Sequence, residues 1–168
     1  MDNAKNFNTP KTEDSTNTWL TPRDLLNELG DFDTDPCAAT GRPWDCAKIN
    51  YTIEDDGLKQ EWKGRVWCNP PYGSEITPFL KKMSEHNGRG LCLIFVRSDT
   101  KAWHEYILNS AKYIFFFKGR IKFCKIDGVQ SAPANAPSCL VAWNEEEFEV
   151  LKKLEDAGKG KIWKNVIA

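Results

Sequence analysis

The residues from Val66 to Gly73, which read Val-Trp-Cys-Asn-Pro-Pro-Tyr-Gly, constrain the fold more than any other stretch of the chain. The apolar start is typical of a buried strand, and the two prolines end it because proline has no N–H for strand pairing and fixes its own φ angle. The strand must therefore deliver Asn69 and Tyr72 to a sheet edge in a rigid, extended segment. An amide, carbonyl groups and an aromatic face at such a point could hold a planar substrate that carries an exocyclic amino group.

Apolar periodicity along the rest of the chain predicts alternating helices and strands. Helices are predicted over 22–29, 76–85, 99–110 and 145–157, and strands over 32–35, 65–68, 90–96, 113–117, 120–126 and 138–143. Residues 42–64 show no sustained period and are expected to form loops and short helical turns. In the first helix we expect Thr21 to be the N-cap and Pro22 to be the first helical residue. The alternation predicts an α/β fold with a mostly parallel sheet, and the last two strands predict an antiparallel pair at one edge.

Length and charge limit the organisation of the chain and its partners. A chain of 168 residues has room for one core, and we predict a disordered polar tail over 1–17 before a single domain over 18–168. A net charge of −1 gives no global attraction for nucleic acid, so any such surface must be local. The polar N-terminus argues against a signal peptide or a membrane span.

The six cysteines contain no Cys-x-x-Cys pair, and several lie within apolar runs. This pattern favours buried free thiols in a reducing cytosol over zinc ligands or disulfides. The sequence also has no Gly-rich phosphate loop, no metal-ligand spacing and no Ser/His/Asp set. We therefore predict no metal site, and hydrolases and nucleotide triphosphatases are disfavoured.

A second predicted strand also ends in unusual chemistry, at Asp35, which precedes a proline. Ligands of α/β sheets bind beyond the carboxyl ends of the strands, so the Asp35 turn and the Asn69 turn can face one another across a cleft if their strands are close and parallel. Each feature also has a plainer interpretation, which stays open. Asp35 can simply form a turn, Asp56 can lie in a solvated turn, and Arg120 and Lys122 can be ordinary charges at a strand start.

Five motifs occur in an order that resembles the phage-type DNA adenine methyltransferase (Dam) family. They are Trp19-x-Thr21-Pro22, Phe32-x-x-Asp35-Pro36-Cys37-Ala38, Asp56-Gly57-Leu58 with Trp62, Val66 to Gly73, and Gly119-Arg120-x-x-Phe123 followed by Ala132-Pro133. The resemblance covers residues 18–144. Many amino-methyltransferases share the Asn-Pro-Pro-Tyr element, whereas the ordered combination is far more specific.

The resemblance implies a Rossmann-like fold that uses S-adenosylmethionine and releases S-adenosylhomocysteine. Asn69 and the Pro70 carbonyl would bind the amino group of a target adenine and Tyr72 would stack on its ring, so the implied catalytic residues are Asn69, Pro70, Pro71 and Tyr72. The implied cofactor-binding residues are Trp19, Thr21, Pro22, Asp35, Pro36, Cys37, Ala38 and Asp56. Arg120 and Lys122 are implied to lie near the DNA. The chain departs from the wider methyltransferase pattern at the cofactor loop, which is usually Gly-rich and here reads Pro36-Cys37-Ala38-Ala39.

We therefore expect a site-specific adenine methyltransferase that acts on a flipped base of double-stranded DNA, either as a monomer or as a homodimer. By family analogy we expect a phage-encoded enzyme that works in the host cytoplasm and protects DNA from restriction. The loops 74–78 and 124–137 are expected to recognise the target sequence. Three alternatives stay open: a methyltransferase of RNA or of protein glutamine, a non-catalytic DNA-binding module of the same fold, and a purely structural phage protein.

Overall fold

A computed structural model describes residues 18–87 and 89–166, so the predicted tail over 1–17 lies outside the described residues. Within them, helices flank a seven-stranded sheet. The elements are α1 (Arg23–Leu29), β1 (Thr34–Asp35), β2 (Ile49–Asn50), β3 (Val66–Cys68), α2 (Ile76–Glu85), β4 (Gly90–Phe95), α3 (Lys101–Trp103), β5 (Tyr113–Phe117), β6 (Ser138–Ala142), α4 (Phe148–Asp156) and β7 (Gly160–Lys164). A π-helical turn, His104–Leu108, continues α3, and a 3₁₀ turn, Glu145–Glu147, precedes α4. The predicted α/β class and its four helices are confirmed.

The sheet is mixed, so the prediction of a mostly parallel sheet is wrong. Its strand order is β2-β1-β3-β4-β6-β5-β7. The pairings of β2 with β1, β1 with β3 and β3 with β4 are parallel, whereas those of β4 with β6, β6 with β5 and β5 with β7 are antiparallel. A loop segment rather than a helical crossover joins β5 to β6, and antiparallel neighbours need no crossover. The chain therefore returns along β6, between β4 and β5.

An antiparallel pair does lie at one edge of the sheet, but it consists of β5 and β7 rather than the predicted strands over 120–126 and 138–143. Residues 120–126 form no regular strand, because their backbone groups bond to two different segments: Cys124 exchanges hydrogen bonds of 2.8 and 2.9 Å with Leu20, while the Phe123 carbonyl accepts one of 2.8 Å from Ser131 N–H. The other half of the predicted pair, β6, is fully buried inside the sheet.

Two strands of the sheet were not predicted. β2 has only two residues, within a segment that has no apolar period. β7 is an edge strand and mostly exposed, so its residues include few apolar ones and give a weak pattern. Both strands depend on a neighbour in the sheet rather than on their own composition.

Helix α1 begins one residue later than predicted. Pro22 occupies the N-cap position with an extended backbone (ψ 136°), and no side chain caps the helix. The prediction that Thr21 is the N-cap is therefore wrong, because its hydroxyl bonds to another residue, Asn69. Gly30 ends the helix as expected, with its N–H donating to the Leu26 carbonyl.

Apolar side chains alternate between the two faces of the sheet and build two layers of core. One face packs against α2 and the α3 segment, and its strand residues include Val66, Cys68, Cys92, Ile94 and Val141. The other face packs against α1 and α4, and its strand residues include Trp67, Leu91, Leu93, Phe115 and Leu140. This arrangement explains the nearly continuous apolar run of β4, which is covered on both faces.

The parallel strands β1, β3 and β4 end at the same edge of the sheet. Thr34 is in register with Val66, and Cys68 with Cys92. The residues that follow β1 and β3, and Phe95 at the end of β4, therefore come together at one carboxyl edge. Among the described residues, no helix is both long and apolar enough to cross a membrane.

Candidate active site

A cavity of about 790 Å³ opens at the carboxyl edge of the parallel strands. Its lining includes every predicted site residue except Pro22, Arg120 and Lys122: Trp19, Thr21, Asp35, Pro36, Cys37, Ala38, Asp56, Asn69, Pro70, Pro71 and Tyr72. The two strand ends that the sequence singled out therefore share one cleft.

Asn69 lines this cavity and carries an acceptor without a hydrogen-bond partner among the described residues. Its Nδ2 donates a hydrogen bond of 3.3 Å to Oγ1 of Thr21, a residue that is only 2% exposed. Its Oδ1 is buried and has no hydrogen-bond partner among the described residues. The carbonyl of Pro70 likewise accepts no hydrogen bond from the described part of the chain. A buried acceptor without a donor is costly, and a ligand N–H can remove that cost.

The ring of Tyr72 is stacked on Phe95. The ring centroids lie 4.4 Å apart, and the two planes differ by 8°. The Tyr72 hydroxyl is buried and has no hydrogen-bond partner among the described residues. Burial raises the pKa of Tyr72 above its ordinary value, so the side chain stays a neutral phenol. The site therefore contains a flat, uncharged aromatic surface next to the free Asn69 acceptor.

The Asp35 turn is bonded to the Asn69 turn through a cysteine. Asp35 Oδ1 accepts a hydrogen bond of 3.0 Å from Cys37 N–H, which confirms the turn-forming role for Asp35. The Cys37 thiol donates to the Asn69 carbonyl at 3.2 Å and lies 3.9 Å from the Cys68 sulfur. Cys37 and Cys68 remain free thiols, as do the other cysteines. The two turns are therefore held in a fixed relation.

Burial gives Asp35 unusual acid–base chemistry. The side chain is only 4% exposed, and the loss of solvation raises the pKa of Asp35 to about 7. The Cys37 N–H, the positive charge of Arg42 and the Cys46 thiol oppose this rise because each favours the ionised carboxylate. A positively charged ligand group in the cavity would favour the ionised form further.

The loop that carries Asp56 also lines the cavity. Asp56 has a positive φ of 51°, and its carboxylate pairs with Lys59 at 2.8 Å. The hydrogen bond from Lys59 lowers the pKa of Asp56, so the carboxylate is ionised. Trp62 fixes this loop by donating a hydrogen bond of 2.8 Å to the Gly57 carbonyl. Asp56 thus lies in a turn, as one interpretation predicted, and also lines the cavity.

Three predicted site residues lie away from the cavity lining, and several lining residues were not predicted. Pro22 occupies the helix N-cap position, while Arg120 and Lys122 are exposed and form no ion pair within the described residues. The unpredicted lining includes Arg42, Trp44 and Cys46, from the segment without an apolar period. That segment gives no pattern that could have revealed them. Phe95 is not part of the lining but stacks on Tyr72, and it could have been found from its position at the end of a buried strand.

The cavity suits a small-molecule cofactor with a cationic group. Its volume falls within the range of small-molecule sites, about 300 to 1,000 Å³. A buried carboxyl, Asp35, lies in its lining beside the apolar atoms of Pro36 and Ala38. Among the described residues, no group of three or more His, Cys, Asp or Glu side chains is arranged to hold a metal ion.

The fold and the cavity define an α/β protein with a cavity beyond the carboxyl ends of its parallel strands, the place where ligands of α/β sheets bind. Residues 7–160 match the family described as DNA N-6-adenine-methyltransferase (Dam), and the chain belongs to that family. Membership implies DNA adenine methyltransferase activity, with S-adenosylmethionine as methyl donor and DNA as substrate. Searches of curated proteins and of solved structures gave no match.

Proposed function

We propose that the protein is a site-specific DNA methyltransferase of Rossmann-like fold that transfers a methyl group from S-adenosylmethionine to the exocyclic amino group of a flipped adenine. The observation that carries the proposal is the buried, unpartnered Oδ1 of Asn69, which Thr21 orients through the amide nitrogen. An acceptor kept free in this way suits an amino group as its ligand.

Asn69 and Pro70 activate the nucleophile in this proposal. The amino group of adenine is a poor nucleophile because its lone pair is conjugated into the ring. Two acceptors, Asn69 Oδ1 and the Pro70 carbonyl, bind its two hydrogens and so favour a more localised lone pair. Asn69 is neutral and needs no counter-charge in its partly buried position. The two prolines, Pro70 and Pro71, hold both acceptors in one rigid segment.

Tyr72 compensates for the loss of DNA stacking. The amino group of adenine is out of reach inside the duplex, and extruding the base costs a few kcal/mol. The Tyr72 ring lines the cavity and offers a flat face to the extruded base. Stacking on that face returns part of the cost.

The part of the cavity beside Asn69 would hold the cofactor. Its lining residues are Trp19, Thr21, Asp35, Pro36, Cys37, Ala38 and Asp56. When bound, S-adenosylmethionine supplies a methyl group that its sulfonium centre already activates. The protein then needs only to align the amino nitrogen with that methyl group, and such positioning lowers the barrier substantially. Asp35 provides a carboxylate for the cationic part, and the Cys37 thiol keeps the cofactor turn against Asn69.

The segment 118–137 is proposed to contact DNA. It follows β5, which runs in the same direction as β4, so it begins at the edge where the cavity opens. Arg120 and Lys122 are exposed there and can neutralise phosphates, although the net charge of the chain is only −1. The loops 74–78 and 124–137 would read the target sequence. In a phage, the modified adenine would protect DNA from restriction.

Replacing Asn69 by Ala tests the proposal. We expect the Asn69→Ala variant to lose at least about 100-fold in methyl transfer, because removing one preorganised hydrogen-bonding group from a transition state costs about that much. Transfer of labelled methyl groups to duplex DNA measures activity, and calorimetry with the cofactor should give nearly unchanged affinity. Asn27→Ala, which changes an exposed amide on α1, serves as the control.

The outcomes of this experiment distinguish the alternatives. Wild-type rates in the Asn69→Ala variant would contradict the assignment. Parallel reactions of the wild-type protein with RNA and with protein substrates would reveal a different methyl acceptor. Absence of cofactor binding by the wild-type protein would indicate a non-catalytic module.

A further inference from the structure

Phe95 contacts the proposed base-binding residue Tyr72 but has no role in the chemistry described above. It is the last residue of β4 and is half-buried. Its ring lies parallel to that of Tyr72, at a centroid distance of 4.4 Å. Tyr72 lines the cavity and Phe95 does not, so Phe95 supports the tyrosine from outside the cavity.

Phe95 is the aromatic neighbour of the Tyr72 ring among the described residues. The Tyr72 hydroxyl has no hydrogen-bond partner, and the stack on Phe95 is the only contact of Tyr72 with another aromatic ring among the described residues. Gly73, the next residue, has a positive φ of 90° and leads into exposed positions. The parallel stack on Phe95 therefore defines the plane of the Tyr72 ring.

Phe95 itself is held firmly. Its backbone is in register with Ser138 in the interior of the sheet. Its ring meets Phe123 edge to face, at a centroid distance of 6.3 Å and an interplanar angle of 86°. Phe123 is 4% exposed and is next to Lys122, in the segment proposed to contact DNA. Tyr72, Phe95 and Phe123 form a column of rings, which we call the aromatic column, between the cavity and that segment.

We infer that Phe95 is a positioning residue, which holds the Tyr72 ring in the orientation that lets a flipped adenine stack on it. The inference rests on the proposed function. A ring without this support would sample other orientations, and a base entering the cavity would meet a smaller stacking surface. Since Phe95 is not part of the cavity lining, its loss should weaken binding of the base and leave cofactor binding unchanged.

The test compares two substitutions of Phe95. Phe95→Leu keeps an apolar side chain but removes the flat face, whereas Phe95→Tyr keeps the ring and should restore function. The ligands are two duplexes that carry the target site found by mapping modified adenines, one intact and one abasic at the target position. Binding is measured by titration in the presence of S-adenosylhomocysteine, which prevents turnover.

We expect Phe95→Leu to weaken binding of the intact duplex by about 3- to 10-fold. This factor corresponds to the stabilisation that one aromatic pair provides beyond the burial of its apolar area. Binding of the abasic duplex should not change, because it has no base to stack on Tyr72. The same loss should occur in kcat/KM for DNA, with an unchanged KM for S-adenosylmethionine. Phe148→Leu is the matched control, since Phe148 is half-buried and packs against Tyr113, 5.2 Å away, outside the cavity lining.

Several results would overturn the inference while leaving the proposed function intact. Equal weakening of the intact and the abasic duplex, or failure of Phe95→Tyr to restore binding, would show that Phe95 is only structural. Unchanged binding and kinetics in Phe95→Leu would also overturn it. Failure of the wild-type protein to methylate any DNA would instead refute the proposed function, and the inference with it.

Discussion

At the scale of single residues, the site depends on polar groups whose environment the fold has changed. Asp35 is the clearest case, since burial raises its pKa to about 7 while Cys37, Cys46 and Arg42 act against that rise. A carboxyl in this state titrates in the neutral pH range. Its charge can therefore respond to a cationic ligand in the cavity.

Asp35 makes the stability of the protein depend on pH. The folded-state pKa of Asp35 is above its ordinary value of 3.8, so the folded protein binds the proton more tightly than the unfolded chain does. The stabilisation from this proton is complete below about pH 4 and is lost as the pH rises through about 7, and a difference of this size corresponds to at most about 4 kcal/mol. We expect Asp35→Asn to remove this dependence.

Urea denaturation at pH 4.5 and at pH 7.5 measures the effect. The free energy of unfolding of the wild-type protein, minus that of Asp35→Asn, should be larger at pH 4.5 than at pH 7.5. The comparison at equal pH cancels the titration of other groups. An equal difference at both pH values would show that Asp35 titrates alike in the folded and unfolded states.

At the scale of structural elements, the cofactor side of the cavity depends on two loops that touch through their backbones. Gly57 lies so close to Pro36 that a Cβ atom at Gly57 would overlap the Pro36 carbonyl oxygen. Both residues line the cavity. The contact therefore sets the distance between the Asp35 turn and the Asp56 loop.

Gly57→Ala should separate these loops. Because the atoms that clash belong to the backbone, we expect a loss of about 1 to 3 kcal/mol in the free energy of unfolding, which is typical of overpacking. We also expect a weaker affinity for S-adenosylmethionine, measured by calorimetry. Glu54→Ala, an exposed position of the same loop, is the control and should change neither quantity. Wild-type values for Gly57→Ala would mean that the loops adjust without cost.

The elements also show how far local sequence patterns predict this fold. The buried strands β3, β4 and β5 follow apolar runs and were predicted, because burial on both faces requires such runs. The segment 120–126 has an alternating pattern but no partner strand beside it. Two consecutive residues, Phe123 and Cys124, are buried there, so burial does not follow the alternation. An alternating pattern alone does not make a strand, because a strand also requires a neighbour.

At the scale of the whole molecule, one buried ion pair ties α1, β3 and the start of α4 together. Arg65 donates hydrogen bonds of 2.9 and 2.7 Å to Glu147, which is completely buried. It also donates to the carbonyls of Leu29 and Asp31 at the end of α1, and its guanidinium lies 4.2 Å from the centre of the Phe32 ring. This cluster lies away from the cavity lining.

Removing the charge of Glu147 should destabilise the whole fold. Glu147→Gln keeps the side-chain volume but leaves Arg65 without its counter-charge, and breaking a buried pair in this way costs about 3 to 5 kcal/mol. Glu149→Gln, an exposed glutamate in the first turn of α4, should change the free energy of unfolding by less than about 0.5 kcal/mol. Urea denaturation measures both. Similar free energies of unfolding for Glu147→Gln and Glu149→Gln would show that the ion pair contributes no net stability.

The α/β class, the buried strands and the two strand ends that carry the site chemistry could be predicted from local sequence patterns. These features follow from local causes, namely apolar runs, prolines that end strands, and the residue types beside them. Tertiary packing sets the mixed order of the sheet, since β6 enters between β4 and β5, the two strands that precede it in the chain. It also decided that Thr21 orients Asn69 and that Phe95 supports Tyr72. Contacts between residues far apart in the chain depend on how the elements pack, and no local pattern records that.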